Sequence, residues 1–174
     1  MPDTQELVQN LLDREAIRDL PKRYCDHVWQ DDAVGMSKLF VKDGRFSVVL
    51  ADKTIDVVGQ QAICDFMRQG LSDAPRPFIH NHVVELIDQH NASGRAYLDL
   101  RSGKHNFDWL GTGYYQDRYV KQDDTWLFAS RDFGYRNPDS TRNVRSETTD
   151  GFAINHIKGD EGIDDPQVTG GLNR

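Results

Sequence analysis

The chain has 174 residues, with 21 Lys and Arg against 28 Asp and Glu, for a formal net charge of −7. That length fits one ordinary domain around one core, large enough to hold together without disulfides or a structural metal. A composition of 37% hydrophobic and 28% charged residues excludes disorder throughout, and the acid excess, with no Lys/Arg cluster, excludes nucleic acid as the expected partner.

The N-terminal stretch MPDTQELVQNLLDRE carries acids where a secretory leader carries a basic and then an apolar region. No apolar run approaches the roughly 20 residues that span a bilayer. A cytoplasmic protein with no membrane partner is the expectation. Cys25 and Cys64 lie in helix-like apolar contexts without a C-x-x-C or Cys/His spacing, so they read as small buried apolar residues rather than a metal or redox pair.

Leu7, Leu11, Leu12, Ala16, Ile17, Leu20, Tyr24 and Val28 recur every three or four positions, which predicts an amphipathic helix over residues 5 to 30. Pro21 falls inside it and predicts a kink or a break. A short second helix is expected over Ala33 to Phe40, followed by a turn at Val41-Lys42-Asp43-Gly44. Arg45 to Ala51 and Thr54 to Val58 read as a hairpin, and Gln61 to Leu71 as a third helix with Ile63, Phe66, Met67 and Leu71 on one face. Four strand-like runs follow, Ile79 to Asp88, Gly94 to Arg101, Leu110 to Tyr119 and Trp126 to Tyr135, separated by turn residues. From Pro138 onward only 8 of 37 residues are hydrophobic, so this tail is either disordered or laid on another surface. The order of elements predicts an α+β domain over residues 1 to 137, with helices on one face of a bent antiparallel sheet and a concave apolar space between them.

The common nucleotide, zinc-protease and serine-hydrolase signatures are absent from the sequence. Gly111-Thr112-Gly113 lies within a strand, where glycines give curvature or room for a pocket. Strict alternation would put His80 and His82 on one face. A metal site would need at least a third ligand that the spacing does not supply, whereas His80 alone could serve as a general acid or base or simply be structural. Arg131, Phe133 and Tyr135 alternate onto one face of the last strand; the arginine either binds an anionic or phenolic group or pairs with a surface acid.

Taken together, Asp13-Arg14-Glu15-Ala16-Ile17-Arg18-Asp19-Leu20 with Tyr24, Leu39-Phe40 before Asp43-Gly44, Val58-Gly59-Gln60-Gln61-Ala62-Ile63, His80, Gly113-Tyr114-Tyr115-Gln116-Asp117-Arg118-Tyr119, and Asp124-Thr125-Trp126 with Arg131 resemble the SnoaL-like branch of the nuclear-transport-factor-2-like superfamily. The resemblance covers about residues 5 to 137 and implies a cone-shaped, strongly curved antiparallel sheet wrapped on helices around an apolar pocket. Similar proteins include cofactor-free dehydratases and a dehydrochlorinase that work by proton abstraction. Their catalytic histidine falls on His80, with polar pocket residues on Tyr24 and Arg131. Pocket-wall positions fall on Val48, Leu98, Leu100, Tyr115 and Tyr135, and Trp29 with Tyr115 and Tyr135 would give the substrate cavity an aromatic lining.

One departure stands out. The aspartate that orients the family histidine falls on Trp29, so either Asp31 substitutes, or a tyrosine does the acid/base work, or the histidine only hydrogen-bonds its ligand. The expected function is a cofactor-independent lyase, of dehydratase or retro-aldol type, acting on a small hydrophobic, aromatic hydroxylated compound. His80 would move the proton, Tyr24 would bond the leaving hydroxyl or phenol, and Arg131 would hold developing negative charge. The alternative is a non-catalytic ligand-binding or assembly subunit resembling the small subunit of ring-hydroxylating dioxygenases. Homodimers or homotrimers are the expected assembly, and no cofactor or metal is expected.

Overall fold

The computed structural model of the chain describes residues 3–49, 54–104 and 106–136; the expected polar tail lies outside these residues. Helix α1 spans Thr4–Trp29 and α2 Ala33–Ser37. Strands β1 (Phe40–Val49) and β2 (Thr54–Val58) lead into α3 (Gln60–Gly70), which continues through a 3-10 turn at Leu71–Asp73. Strands β3 (Arg76–Leu86), β4 (Asn91–Arg101), β5 (Trp109–Gln122) and β6 (Thr125–Arg136) follow.

The six strands form one sheet in the order β2-β1-β6-β5-β4-β3. The sequence predicts an antiparallel sheet, and four of its five pairings are antiparallel; the β1/β6 pair is parallel, so the sheet is mixed. Helices pack on the inward face, where Ile17, Tyr24, Phe40, Phe46, Ile63, Met67, Leu98 and Phe128 form the most enclosed layer.

Two local expectations are corrected. Pro21 does not break α1, which runs through it unbroken. The proline ring is fully buried beside Leu20 and Tyr24, and apolar burial along this face offsets the missing backbone bond. The expected turn at Val41–Gly44 is instead an irregularity inside β1: Phe40 pairs with Phe128 and Arg45 with Ser130, with the extra residues of β1 looped between these pairings. A Cβ on Gly44 would stand 2.9 Å from the Val41 carbonyl oxygen and 3.0 Å from Phe40 Cβ, so only glycine fits the tight backbone there.

Register shifts also occur between Ile79 and His82, between Leu100 and Arg101, and between Arg118 and Tyr119. Each extra residue bends its strand and reverses which side chains face the core. Two of these shifts decide the composition of the site.

Candidate active site

The first lies in β3. Pro77 is buried and Ile79 half-buried on the inward face, but β3 spends three residues from Ile79 to His82 while β4 spends two from Leu98 to Ala96. The alternation restarts in the opposite phase, so His82 and Val84 face inward and His80 faces out. The two histidines therefore do not share a face. His80 is 54% exposed, and its Nε2 lies 3.3 Å from Asp99 Oδ2. Asp99 also accepts a hydrogen bond from Thr112 Oγ1 at 3.2 Å. Burial works to raise the Asp99 pKa, but hydrogen bonds from Trp109, His80 and Thr112 outweigh it and hold the carboxyl below its ordinary value. The histidine's acidic partner is thus Asp99 on β4, and not Asp31, which pairs with Arg76 at 3.0 Å.

The second shift lies in β6. Tyr119 pairs with Phe128 and Arg118 with Ser130, leaving Ala129 as the extra residue. Trp126 and Phe128 face inward before it, and Arg131 and Phe133 face inward after it. Arg131 is completely buried and lies directly across from Asp117 on β5. Arg131 Nε donates to Asp117 Oδ1 at 2.9 Å and Nη2 to Oδ2 at 2.7 Å. Of the alternatives open for the arginine in the sequence, the structure gives pairing with an acid, but a buried acid rather than a surface one. Burial alone would lower the guanidinium pKa; the charge and hydrogen bonds of Asp117 reverse this and hold it above its ordinary value.

The guanidinium carbon also sits 4.4 Å from the Tyr24 ring centroid, 4.0 Å from that of Tyr115 and 4.1 Å from that of Phe128. Such a cation is attracted to each aromatic face. The Tyr24 and Tyr115 rings meet edge to face at 5.6 Å.

On the far side of these two rings lies an apolar cavity of about 30 Å³. Tyr24 and Tyr115 line it together with Val28, Leu71, Pro77 and Leu100, and neither phenol hydroxyl has a hydrogen-bond partner among the described residues. Burial raises the pKa of both phenols, although Arg131 opposes the shift in each. Both therefore stand as neutral proton donors at physiological pH. No carboxylate or imidazole lines the cavity among the described residues.

The structure thus brings together three of the residues singled out in the sequence, Tyr24, Leu100 and Tyr115, at the cavity wall, with Arg131 behind them. Val48 and Leu98 are buried in the core without lining the cavity. Tyr135 donates its hydroxyl to the Leu110 carbonyl at 2.6 Å, and its ring occupies space that a Cβ on Gly111 would fill. Trp29 lies outside the wall: its Nε1 donates to the Pro77 carbonyl at 3.1 Å, and its ring packs on Phe78 and Phe107.

Sequence reasoning gives Asp117 no role and weighs His82 only as a metal ligand beside His80, although a signal for the first is present. Gly113, Tyr115, Asp117 and Tyr119 alternate along β5, so an acid stands at an inward position in a strand of buried aromatics, where it needs a partner.

A SnoaL-like domain matches residues 9–132. The chain belongs to the SnoaL-like family. Solved structures share the fold at low identity. A Mycobacterium tuberculosis protein of unknown function is 23% identical, with a TM-score of 0.70, over 82% of this chain and 84% of its own. A putative scytalone dehydratase from Novosphingobium aromaticivorans is 22% identical, with a TM-score of 0.63, over 75% and 88%. A hexachlorocyclohexane dehydrochlorinase is 15% identical, with a TM-score of 0.63, over 74% and 88%. No curated protein matches the sequence. This chain is thus similar in fold to proteins named as a putative dehydratase and a dehydrochlorinase and to one without a known function. Among its described residues no helix is long and apolar enough to cross a membrane, and no group of three or more His, Cys, Asp or Glu side chains is placed to hold a metal ion.

Proposed function

We propose that this SnoaL-like protein is a cofactor-independent lyase of dehydratase type, acting on a small hydrophobic, aromatic hydroxylated compound. The observation that carries the reading is the pair of phenols, Tyr24 and Tyr115, unbonded among the described residues, on an apolar cavity with one buried guanidinium within 4.4 Å of both ring centroids. The aromatic and aliphatic wall favours a flat, apolar ring system. The phenols supply the polar contact to a hydroxyl.

The sequence assigns proton transfer to His80, which lies on the outer face; in this arrangement the proton comes from a phenol. A tyrosine hydroxyl gives its proton to the leaving hydroxyl as the carbon–oxygen bond breaks, and water departs. The phenolate so formed takes the substrate's carbon-bound proton, which completes the double bond and restores the phenol. Arg131 stabilises the transient phenolate through the ring it stacks on, so its charge acts when charge develops. A cavity of about 30 Å³ has room for little more than one water. Admission of a ring therefore requires the cavity to widen.

One observation favours a ligand-binding role without turnover, namely that among the described residues no carboxylate or imidazole lines the cavity. A screen of hydroxylated aromatic compounds, followed by ultraviolet absorbance for loss of water, separates the two readings. In the lyase reading, Tyr24→Phe or Tyr115→Phe lowers turnover by about 10²–10⁴-fold with the fold intact, and a chelator has no effect. Saturable binding without turnover, or full turnover in both phenylalanine variants, overturns it.

A further inference from the structure

Arg131 is one end of a longer polar chain whose members come from three strands. Asp117 Oδ2, which accepts from Arg131 Nη2, also accepts from the Tyr119 hydroxyl at 2.8 Å, and the Tyr119 oxygen lies 2.9 Å from His82 Nε2. His82 is on β3, Asp117 and Tyr119 on β5 and Arg131 on β6. The intervening strand β4 presents Ala92, Gly94 and Ala96 on its inward face, small enough for His82 to reach across it. A Cβ on Gly94 would stand 2.8 Å from His82 Nε2 and 3.0 Å from the Tyr119 ring.

Hydrogen-bond chemistry gives this chain one direction. Arg131 can only donate, and the carboxylate it clasps can only accept. The Tyr119 proton is therefore committed to Asp117, and the tyrosine oxygen is left as an acceptor. His82 must then donate from Nε2, which leaves Nδ1 with a lone pair. His82 Nδ1 is indeed a buried atom without a partner, as is Arg131 Nη1 at the other end.

We propose that His82 is a positioning residue, held as the neutral Nε2–H tautomer, which locks Tyr119 and Asp117 so that the Arg131 guanidinium stays over the rings of the two cavity phenols, 4.4 Å and 4.0 Å from their centroids. This deepens the lyase reading and rests on it for its functional meaning, since an arginine free to turn within the core would not face both rings. The assignment of tautomer and direction stands on the geometry alone.

The test uses the full chain, labelled with ¹⁵N, without any ligand. Long-range ¹H–¹⁵N correlation of the histidine side chains at neutral pH, assigned by the loss of a signal in His82→Gln, is expected to show His82 as Nε2–H with an unprotonated Nδ1. Arg131 Nε–H is expected as a resolved, slowly exchanging resonance. Tyr119→Phe keeps the ring packed on Phe128, which lies 5.4 Å away, but cuts the chain. It should shift the Arg131 signal and speed its exchange by at least tenfold. His82→Leu should do the same, while His82→Gln, whose amide can still donate to Tyr119, should restore both. An imidazolium or Nδ1–H form of His82 in the wild-type protein overturns the proposal, and so does an Arg131 signal that is the same in all folded variants. Because no substrate enters the measurement, absence of lyase activity would refute the function without touching this result.

Discussion

Asp117 and Arg131 are direct cross-strand neighbours whose side chains meet through two hydrogen bonds, with no solvent exposure on either partner. Two desolvated charges are tolerable only while both are present, because either one alone would be left unpaired in an apolar surround. Asp117→Ala or Arg131→Met should therefore each lower stability by about 3–5 kcal/mol. The double variant Asp117→Leu with Arg131→Met should cost less than either single change. Urea unfolding of the four proteins measures this; additive losses would show that the pair is not energetically coupled.

Gly94 makes the room into which His82 and Tyr119 converge. Gly94→Ala places a methyl carbon 2.9 Å from the Val83 carbonyl oxygen, a backbone atom that cannot swing aside. A loss of about 1–3 kcal/mol is expected from such overpacking. The same variant should disturb the His82 signal, and thermal unfolding together with the histidine spectrum checks both effects.

Burial lowers the His82 pKa from 6.5 to about 4; the charge of Asp117 opposes this, while Arg131, Arg18 and Lys22 add to it. The unfolded chain therefore takes up this proton before the folded one does. The contribution of His82 to stability is fully present above about 6.5, is lost as the pH falls towards about 4, and changes no further below that. The expected outcome is a fall in melting temperature over this window that is shallower in His82→Gln. Parallel curves for the two proteins would contradict the burial of a neutral imidazole.

His80 gives the opposite expectation. Its side chain is more than half exposed and its only ion-pair partner among the described residues is Asp99, so His80→Ala should change stability by no more than about 0.5 kcal/mol. It should also leave cavity chemistry within about twofold of wild type. A large loss of turnover in a folded His80→Ala protein would return that residue to the mechanism.

The contrast between His80 and His82 shows what the sequence carries and what it hides. Helical periods at Leu7 to Val28 and at Ile63 to Leu71 are statements about one element, and the strands from Ile79 to Tyr135 are bounded by residues with turn chemistry, so the α+β layout is legible. Leu100 and Tyr115 as wall positions, and Tyr24 as a polar pocket residue, are implied only by the resemblance to the family. The inward face that His82 occupies, opposite to His80, depends on a single extra residue between Ile79 and His82, and inward placement of Arg131 after Phe128 depends on Ala129. A bulge is a property of two paired strands and leaves no periodic mark in either one. Asp117 could only be recognised as a partner of Arg131 once both were known to face inward.

The parallel β1/β6 pair has a consequence for the order in which the protein is made. Ser47 and Asp132 are register partners, yet about 85 residues of chain separate them. During synthesis α1, β1, β2 and α3 leave the ribosome long before β6 exists, so the edge of β1 that β6 will occupy stays open and Tyr24 and Phe40 lack the ring of Phe128 and the strand that carries it. The first 70 residues are thus an unfinished half-shell whose sticky interior waits for the last described strand, and a translational pause before Thr125 would prolong its exposure to aggregation and chaperones alike.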